Sequence, residues 1–479
     1  MFGDMENFYD EEETLDLLKR YKEMLLHNNS EFFDLYEFEN IITYFTDQYN
    51  FRDALKAVCI AIRQHPDATS MKLRHAQLLI EISRPAKAIR ILKSIGEPEL
   101  LNYELHLAKG IAYNMTGKFN EAQSSFNRAL ELCEEMKDEI AYNIAQSYMQ
   151  FNLYGVAVKY LLLGYHYNKT NILVLYDLGL TYEKLKDTEK SLLFYNKYLE
   201  TDPFAEHVWN NMGVIYSKLG QFEQAAEAFD YAISINSQFL PAYYCKADMY
   251  VLSNRIKEAM EVYNELLVED SANTRAICDL ANCYIRTGDY YEALRLFKMS
   301  MELSGDCADA LFGTGIIYFR QKRYTQSITA IKRAIGLEPS VAEYWLMLGE
   351  VFTRTRKLNK AIDAYTRASE LNPEDLESKI ACAQIFFRKR KIHEAIYILM
   401  RVFEKHPENV MVNYRLAAYY AYQQNLFEAQ RFFKRALYLN YSEHSDMFRH
   451  FPKTRTLPAF RMIMDNHVHF PEPVIKVSK

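Results

Sequence analysis

A period of 34 residues runs through most of this 479-residue sequence. Twelve positions spaced 34 residues apart, beginning with Ala54, all hold a small side chain if one inserted residue, Lys137, is skipped. These small residues are Ala54, Ala88, Ala122, Ala157, Ser191, Ala225, Ala259, Ala293, Ser327, Ala361, Ala395 and Ala429. A fixed period of roughly 20–50 residues is typical of repeat architectures, in which each unit covers the apolar face of its neighbour. The period therefore predicts a modular array rather than one globular core.

Two further positions of each unit indicate that it contains a pair of helices. The first is Gly or Ala in all units but one, at Ala76, Gly110, Ala145, Gly179, Gly213, Ala247, Ala281, Gly315, Gly349, Ala383 and Ala417. The second, three residues later, is Tyr or Phe in all units but one. A small residue lets two helix backbones approach closely, and the ring fills the space beside them. With only 15 Gly and 12 Pro, the chain has too few turn residues for a many-stranded fold. We therefore predict an all-α protein.

Residues 209–233 carry the fullest version of this pattern. The residues that define it are Trp209, Met212, Gly213, Tyr216, Gly220, Ala225, Phe229 and Ala232. Their spacing resembles the tetratricopeptide repeat (TPR), a 34-residue helix–turn–helix unit. The resemblance covers about residues 35–443 and implies a right-handed α-solenoid, or superhelix, of about twelve units. The arrangement as a whole resembles that of long bacterial proteins built of TPRs alone.

We expect three segments in the chain. They are an acidic N-terminal helical cap (1–34), the TPR array (35–443), and C-terminal capping helices with a loose tail (444–479). The expected repeats are 35–68, 69–102, 103–136, 138–171, 172–205, 206–239, 240–273, 274–307, 308–341, 342–375, 376–409 and 410–443. The cap is expected to bury one face of a helix over residues 12–28, formed by Leu15, Leu18, Tyr21, Met24 and Leu25. Two short helices are expected around Pro452 and Pro458.

Charge and hydropathy disfavour several classes of function. The net charge is −6, whereas a nucleic-acid-binding domain is usually strongly basic, so nucleic acid is not an expected partner. The net negative charge is concentrated in residues 1–34, which carry −7 from ten acidic and three basic side chains. This acidic start does not resemble a secretory signal, and no run of about 18 apolar residues predicts a membrane helix. The seven cysteines show no paired spacing and are expected to be small buried side chains in a reducing compartment. These features favour a cytoplasmic protein that does not enter a membrane.

Motifs for catalysis and for cofactors are incomplete. His393–Tyr397 (HEAIY) begins like a zinc-protease motif but lacks its second histidine. A dinucleotide-binding turn requires a third glycine and a preceding strand, and Gly313–Gly315 has neither. His467 and His469 lie in the expected tail without a neighbouring Cys or carboxylate cluster. We therefore predict no enzyme activity, no metal, no cofactor and no small-molecule substrate.

The fifth position of each repeat predicts a surface that we call the groove row. In TPR proteins the first helix of each repeat lines a concave groove. The residues assigned to the groove row are Tyr142, Tyr176, Asn210, Tyr244, Phe312 and Tyr414. Exposed rings supply the large, stiff contact area that binding hot spots use. The alternative is that these rings pack against the neighbouring repeat, and the sequence does not decide between the two.

The thirteenth position predicts a second surface, which we call the basic ridge. Its residues are Lys184, Lys218, Arg286, Arg320, Arg354 and Arg388. In the last three of these repeats, further bases follow in the turn, namely Lys322, Arg323, Arg356, Lys357, Lys389, Arg390 and Lys391. A base near a helix C-terminus is favoured by the helix dipole, which is the purely structural explanation. The functional hypothesis is that the ridge meets an acidic ligand, either an acidic peptide or the acidic head of this chain.

The function that best fits these features is a cytoplasmic scaffold or adaptor. Its concave groove would bind peptide or helical segments of partner proteins. The first alternative is a structural subunit that self-associates through its ends, which an exposed apolar patch on either cap would favour. A remote alternative is an RNA-binding helical-repeat protein that uses the basic ridge.

Overall fold

The computed structural model describes residues 11–27, 31–96 and 101–467. Within these ranges the backbone forms α-helices, short 3-10 segments and their connections, with no strand. The chain divides into two compact units, Met1–Cys245 and Lys246–Lys479. The predicted all-α class is therefore confirmed, and each unit is built of successive helix pairs. In the described part of the chain, no helix has both the length and the apolar character needed to cross a bilayer.

The first unit contains thirteen complete helices and the start of a fourteenth in its described ranges. They are α1 Glu11–His27, α2 Leu35–Asp47, α3 Phe51–Gln64, α4 Thr69–Glu81, α5 Pro85–Ser94, α6 Tyr103–Met115, α7 Phe119–Leu132, α8 Lys137–Met149, α9 Tyr154–Tyr167, α10 Ile172–Lys184, α11 Thr188–Thr201, α12 Glu206–Lys218 and α13 Phe222–Ile235. The division between the units falls inside α14, Leu240–Leu252. From α2 onward, even-numbered helices are the first of each pair and odd-numbered helices the second.

The second unit continues the pairs and ends in shorter helices. They are α15 Ile256–Glu269, α16 Thr274–Thr287, α17 Tyr290–Ser304, α18 Ala308–Arg320, α19 Tyr324–Leu337, α20 Ala342–Arg354, α21 Leu358–Leu371, α22 Leu376–Arg388, α23 Ile392–Lys405, α24 Val410–Tyr422, α25 Leu426–Leu439, α26 His444–His450, α27 Pro452–Arg455 and α28 Pro458–His467. A 3-10 helix, Tyr441–Glu443, precedes α26. The sequence predicted two short helices in the tail, but the structure has three. Pro452 and Pro458 each begin a helix, where the fixed φ of proline is favourable.

Close approach of the paired helices depends on the small residue of the first helix. A Cβ atom added to Gly179 would lie 2.4 Å from the ring of Tyr195 in the next helix, and one added to Gly349 would lie 2.7 Å from the ring of Tyr365. The two serines that replace alanine in the second helix use the same contact. Ser191 donates a hydrogen bond to the carbonyl of Gly179 at 2.7 Å, and Ser327 donates one to the carbonyl of Gly315 at 2.8 Å. The small side chains therefore mark the helix crossings, as the period predicted.

Every turn between paired helices contains one residue in the left-handed conformation. These residues, at the fifteenth position of their repeats, are Tyr49, Ser83, Gly117, Asn152, Lys186, Gly220, Asn254, Gly288, Lys322, Arg356, Arg390 and Gln424. The following amide usually donates back into the first helix, as Arg323 does to the carbonyl of Tyr318 at 2.8 Å. This is the Schellman arrangement, in which glycine is the favoured left-handed residue. Only three of the twelve turns use glycine there.

The N-terminal helix α1 packs through a face that differs partly from the expected one. Its buried side chains are Leu17, Leu18, Tyr21 and Met24. The prediction was wrong for Leu15 and Leu25, which are 54% and 43% exposed. Their place is taken by Leu17, because Leu17, Tyr21 and Met24 recur at the four- and three-residue spacing that forms one helix face.

The cysteines are free thiols, and most of them are buried. Cys133, Cys278, Cys283 and Cys382 are buried, and Cys245 and Cys307 are partly buried. Cys59 is exposed, so the expectation of buried cysteines is wrong at that position.

Candidate protein-binding surfaces

In the first unit, the groove row begins in a polar network between α8 and α10. The hydroxyl of Tyr142 accepts a hydrogen bond from Gln146 Nε2 at 3.0 Å, and Gln146 also donates to Asp177. Asp177 is only 6% exposed, and this burial raises its pKa to about 6 although Tyr142 and Gln146 both donate to it. Tyr142 is partly buried by the same contacts. Its ring is held in position by the network and keeps part of its surface accessible.

Tyr176 and Asn210 continue the groove row in different environments. The partly buried ring of Tyr176 lies 6.0 Å from the ring of Tyr195 and 5.2 Å from that of His207. Asn210 is buried, and its Oδ1 atom has no hydrogen-bond partner in the structure. Tyr244 is partly buried on α14. The accessible part of the row in the first unit is therefore tyrosine, while Asn210 lies beneath the surface.

In the second unit, the two rings of the groove row are packing residues. Phe312 is 8% exposed, and its ring centroid lies 4.5 Å from that of Tyr344. Tyr414 is 4% exposed, and its hydroxyl donates to the carbonyl of Asn440 at 2.7 Å. Phe312 packs against the neighbouring repeat, which is the alternative left open by the sequence, whereas Tyr414 contacts Phe433 and Asn440 in its own repeat.

A group of carboxylates in the second unit was missed by the sequence reasoning. Asp248, Asp279, Asp309 and Glu343 lie on the first helices of four successive pairs. Partial desolvation raises the pKa of Asp248 and Glu343, although both side chains remain exposed. Desolvation raises the pKa of the partly buried Asp279 to about 6, and the negative charges of Asp248 and Asp309 add to this shift. Arg275 lies 3.7 Å from Asp279, and Tyr344 donates to Asp309 at 2.8 Å. Asp309 and Glu343 share the second position of their repeats, but Asp279 is at the sixth and Asp248 at the ninth, so no single repeat position marks the group.

All six side chains of the basic ridge are exposed. In the first unit, Lys218 forms an ion pair with Glu183 at 2.8 Å. In the second unit, Arg286 donates to the carbonyl of Val251 at 3.3 Å, and Arg354 lies 3.6 Å from Glu350. Exposed pairs of this kind contribute little to stability and leave the cations accessible to a ligand.

The part of the chain that the structure describes contains no candidate metal site. In residues 11–27, 31–96 and 101–467, no group of three or more His, Cys, Asp and Glu side chains is arranged to hold a metal ion. The side chain of His467, and His469 as a whole, lie outside the described residues.

The additional bases in the turns after Arg320, Arg354 and Arg388 have exposed side chains, except for Lys389, which is partly buried.

Family models match several parts of the chain. Residues 103–136, 173–204 and 208–239 match models described as Tetratricopeptide repeat. Residues 236–449, less than half of the chain, match a model described as Cilia and flagella-associated protein 70 C-terminal domain. The first of these ranges coincides with an expected repeat, and the next two lie within two others.

Individual proteins are similar over shorter stretches or at low identity. A TPR repeat-containing protein of Methanocaldococcus jannaschii is 31% identical over 126 residues, which are 26% of this chain and 22% of that protein's length. Yeast Tom70 is 15% identical over 96% of this chain and 97% of the solved chain, with a TM-score of 0.46. A tetratricopeptide repeat protein from Parabacteroides merdae is 20% identical over 49% of this chain and 93% of the solved chain, with a TM-score of 0.35. None of these comparisons confirms the expected bacterial source. Together with the helix pairs described above, the repeat models support the assignment of the repeats to the tetratricopeptide-repeat family.

Proposed function

We propose that this chain is a protein-interaction scaffold that acts by binding and not by catalysis. The observation that supports this most is the set of partly accessible tyrosines on three first helices of the first unit, Tyr142 on α8, Tyr176 on α10 and Tyr244 on α14. Tyrosine combines a large apolar ring with a hydroxyl and loses little conformational entropy on binding. The matched TPR models add support for a binding role in general.

We propose that the partner segment is a peptide or helix that lies along these first helices. Tyr142 and Tyr176 are already held by neighbouring side chains, so binding need not order them. Asn210, on the first helix between those of Tyr176 and Tyr244, supports the surface from beneath in this proposal, because it is buried. Phe312 and Tyr414 belong to the second unit and are not part of the proposed surface. We place the protein in the cytoplasm on the sequence grounds given above.

Capture of partners from the native extract tests this proposal. The variant replaces Tyr142, Tyr176 and Tyr244 with alanine. The matched control replaces Tyr291, Tyr397 and Tyr438, which are exposed on the second helices, with alanine. We expect the control to retain the wild-type set of proteins and the groove variant to lose it, with both variants folded by circular dichroism. Retention of the same set by both variants would contradict a role for the groove row.

Self-association is a second candidate function, and exposed leucines on α1 favour it. Leu15, Leu25 and the 80%-exposed Leu26 present apolar surface to solvent near the N-terminal end of the first unit. Exposed apolar patches commonly mark protein contacts. Sedimentation velocity of the Leu15→Glu/Leu26→Glu variant tests this candidate, with Lys22→Glu on the same helix as a control for added negative charge. A concentration-dependent oligomer that only the leucine variant loses supports self-association, and a monomer in all three proteins excludes it.

A further inference from the structure

Three successive turns of the second unit share an arrangement of bases that we call the basic edge. It comprises the thirteenth, fifteenth and sixteenth positions of the repeats that contain α18–α19, α20–α21 and α22–α23. Its residues are Arg320, Lys322, Arg323, Arg354, Arg356, Lys357, Arg388, Arg390 and Lys391. All nine side chains are exposed. The other repeats do not place bases at all three of these positions.

Few acidic side chains offset the charge of the basic edge. Around the three turns, residues 310–337, 351–362 and 378–393 contain no Asp or Glu. In the described structure the carboxylates within ion-pair distance of the edge are Glu350, 3.6 Å from Arg354, and Glu394, 3.5 Å from Lys391. Unpaired charges of the same sign repel one another, so the edge carries a local positive potential.

The bases at the fifteenth position stand where a long side chain is unfavourable. Lys322, Arg356 and Arg390 adopt left-handed φ values of 62°, 58° and 62°. Gly117, Gly220 and Gly288 occupy the equivalent position of other turns, where glycine takes this conformation without steric cost. Compared with glycine, a lysine or arginine therefore carries a conformational cost at these three positions.

The bases at the sixteenth position are unfavourable for a different reason. Arg323, Lys357 and Lys391 are the N-cap residues of α19, α21 and α23, and none of them makes a side-chain cap hydrogen bond. At the equivalent position Asp187 and Asp289 accept hydrogen bonds from the helix backbone. A cation at this end of a helix also opposes the helix dipole.

Local contacts, including the two ion pairs above, stabilise part of the edge, but they do not explain the whole. The guanidinium of Arg323 lies 4.9 Å from the ring centroid of Tyr318, a favourable cation–π distance. The bases at the thirteenth position lie near helix C-termini, where the dipole favours them. The other two positions break local preferences in three successive repeats, which is expected where a surface serves binding.

We propose that the basic edge binds an extended acidic segment of a partner protein. This rests on the scaffold function proposed above and adds a second surface and the chemistry of its ligand. Packed helices lie about 8–10 Å apart, so the three turns span roughly 20 Å. An extended chain rises about 3.3 Å per residue, so six to seven residues cover that distance. Arginine pairs with carboxylates through two parallel hydrogen bonds, which suits glutamate and aspartate side chains.

Acidic peptide fits the edge better than single-stranded nucleic acid does. Sequence-independent binding of nucleic acid uses exposed aromatic rings on which bases stack. The rings next to these turns, Phe319, Tyr324 and Phe387, are partly buried. Phe319 and Tyr324 contact each other at 5.9 Å between centroids, and Phe387 stacks on Tyr419 at 4.3 Å. Part of each ring is therefore covered by a neighbouring ring, which reduces the surface available for stacking.

Fluorescence anisotropy with the full chain at low ionic strength tests the inference. The probes are labelled octaglutamate, octaglutamine of the same length, and octauridylate. The test variant is Lys322→Gly/Arg356→Gly/Arg390→Gly, which removes three charges and the steric cost of three left-handed residues. The control variant is Tyr49→Gly/Ser83→Gly/Lys186→Gly, which relieves the same strain in other turns.

We expect wild type to bind octaglutamate and not octaglutamine, with an affinity that falls as salt is added. The test variant should bind octaglutamate at least about tenfold more weakly, since three of nine cations are gone. Its melting temperature should rise, because glycine suits the turn, so loss of binding will not reflect unfolding. The control variant should melt higher as well and bind like wild type.

Two results would overturn the inference. One is equal affinity for octaglutamate in the two glycine variants, and the other is tighter binding of octauridylate than of octaglutamate. The outcome is separate from that of the groove proposal. If the variant with Tyr142, Tyr176 and Tyr244 replaced by alanine still binds octaglutamate and captures the same proteins as wild type, the groove proposal alone fails. If capture depends on those tyrosines but octaglutamate does not bind, the basic edge alone fails.

Discussion

At the scale of single residues, Asp177 shows how burial and hydrogen bonding compete. Burial raises its pKa, and the hydrogen bonds from Tyr142 and Gln146 lower it by a smaller amount. The balance is a pKa of about 6 compared with an ordinary value of 3.8. A carboxylate that is ionised at neutral pH is therefore held at a site that favours its neutral form.

This leads to a prediction for the pH dependence of stability. Below about pH 4 the carboxyl is neutral in the folded and unfolded states, and above about pH 6 it is ionised in both. Between these values the folded state holds the proton more tightly, so the contribution of Asp177 to stability falls as pH rises. Asp177→Asn should remove this dependence and stabilise the protein at pH 7 by on the order of 2 kcal/mol. Urea unfolding at pH 4 and pH 7 measures the difference, and an Asn variant no more stable than wild type at pH 7 would contradict it.

At the scale of the helix pair, the contact between a small residue and a ring sets the spacing. Gly349 in α20 and Tyr365 in α21 are one such pair, and the space beside Gly349 is smaller than a methyl group needs. The turn that joins the two helices is less demanding, because most of its left-handed positions hold residues other than glycine. Packing at the crossing is therefore the stricter requirement within a pair.

We predict that Gly349→Ala destabilises the protein by about 1–3 kcal/mol, because overpacking must displace the ring or the helix. The matched control is Gly336→Ala in α19, where no atom lies within 4 Å of the added Cβ. That change should be neutral or stabilise by up to about 1 kcal/mol, since alanine favours helix more than glycine does. Chemical denaturation of both variants checks the prediction, which fails if the two changes have the same effect.

At the scale of the whole molecule, stability is distributed along a chain of neighbouring contacts. Each helix pair buries its apolar face against the next pair, so a defect acts mainly on adjacent repeats. Ala225 in α13 is fully buried at a helix crossing in the first unit. A charge placed there would lack both water and a partner.

We predict that Ala225→Asp lowers stability by at least about 3 kcal/mol, and that the loss of protection is greatest in residues 172–239. Amide hydrogen exchange should show faster exchange there than in α2 and α3 at the other end of the unit. Gln224→Asp, on the exposed face of the same helix, is the control and should leave exchange unchanged. A uniform increase in exchange over the unit would contradict the nearest-neighbour account.

The sequence alone determined the helix pairs, because their signal is a repeated steric requirement. A residue at a helix crossing must be small wherever the crossing recurs, so Ala, Gly and Ser mark every repeat. It also determined the composition of the basic ridge, since charge is read from residue type without knowledge of packing. The exposure of those bases could be anticipated from their place at helix ends.

Only the tertiary structure decided which side chains of the first helices remain accessible. Phe312 and Tyr414 occupy the same repeat position as Tyr142, yet neighbours from other helices cover them. The raised pKa values of Asp177 and Asp279 also depend on the assembled structure, because desolvation is their largest cause. The left-handed conformation of Lys322, Arg356 and Arg390 was also seen only in the structure, since lysine and arginine have no preference for positive φ that a sequence could reveal. Exposure, desolvation and strain are properties of the assembled helices, and for that reason no single repeat reveals them.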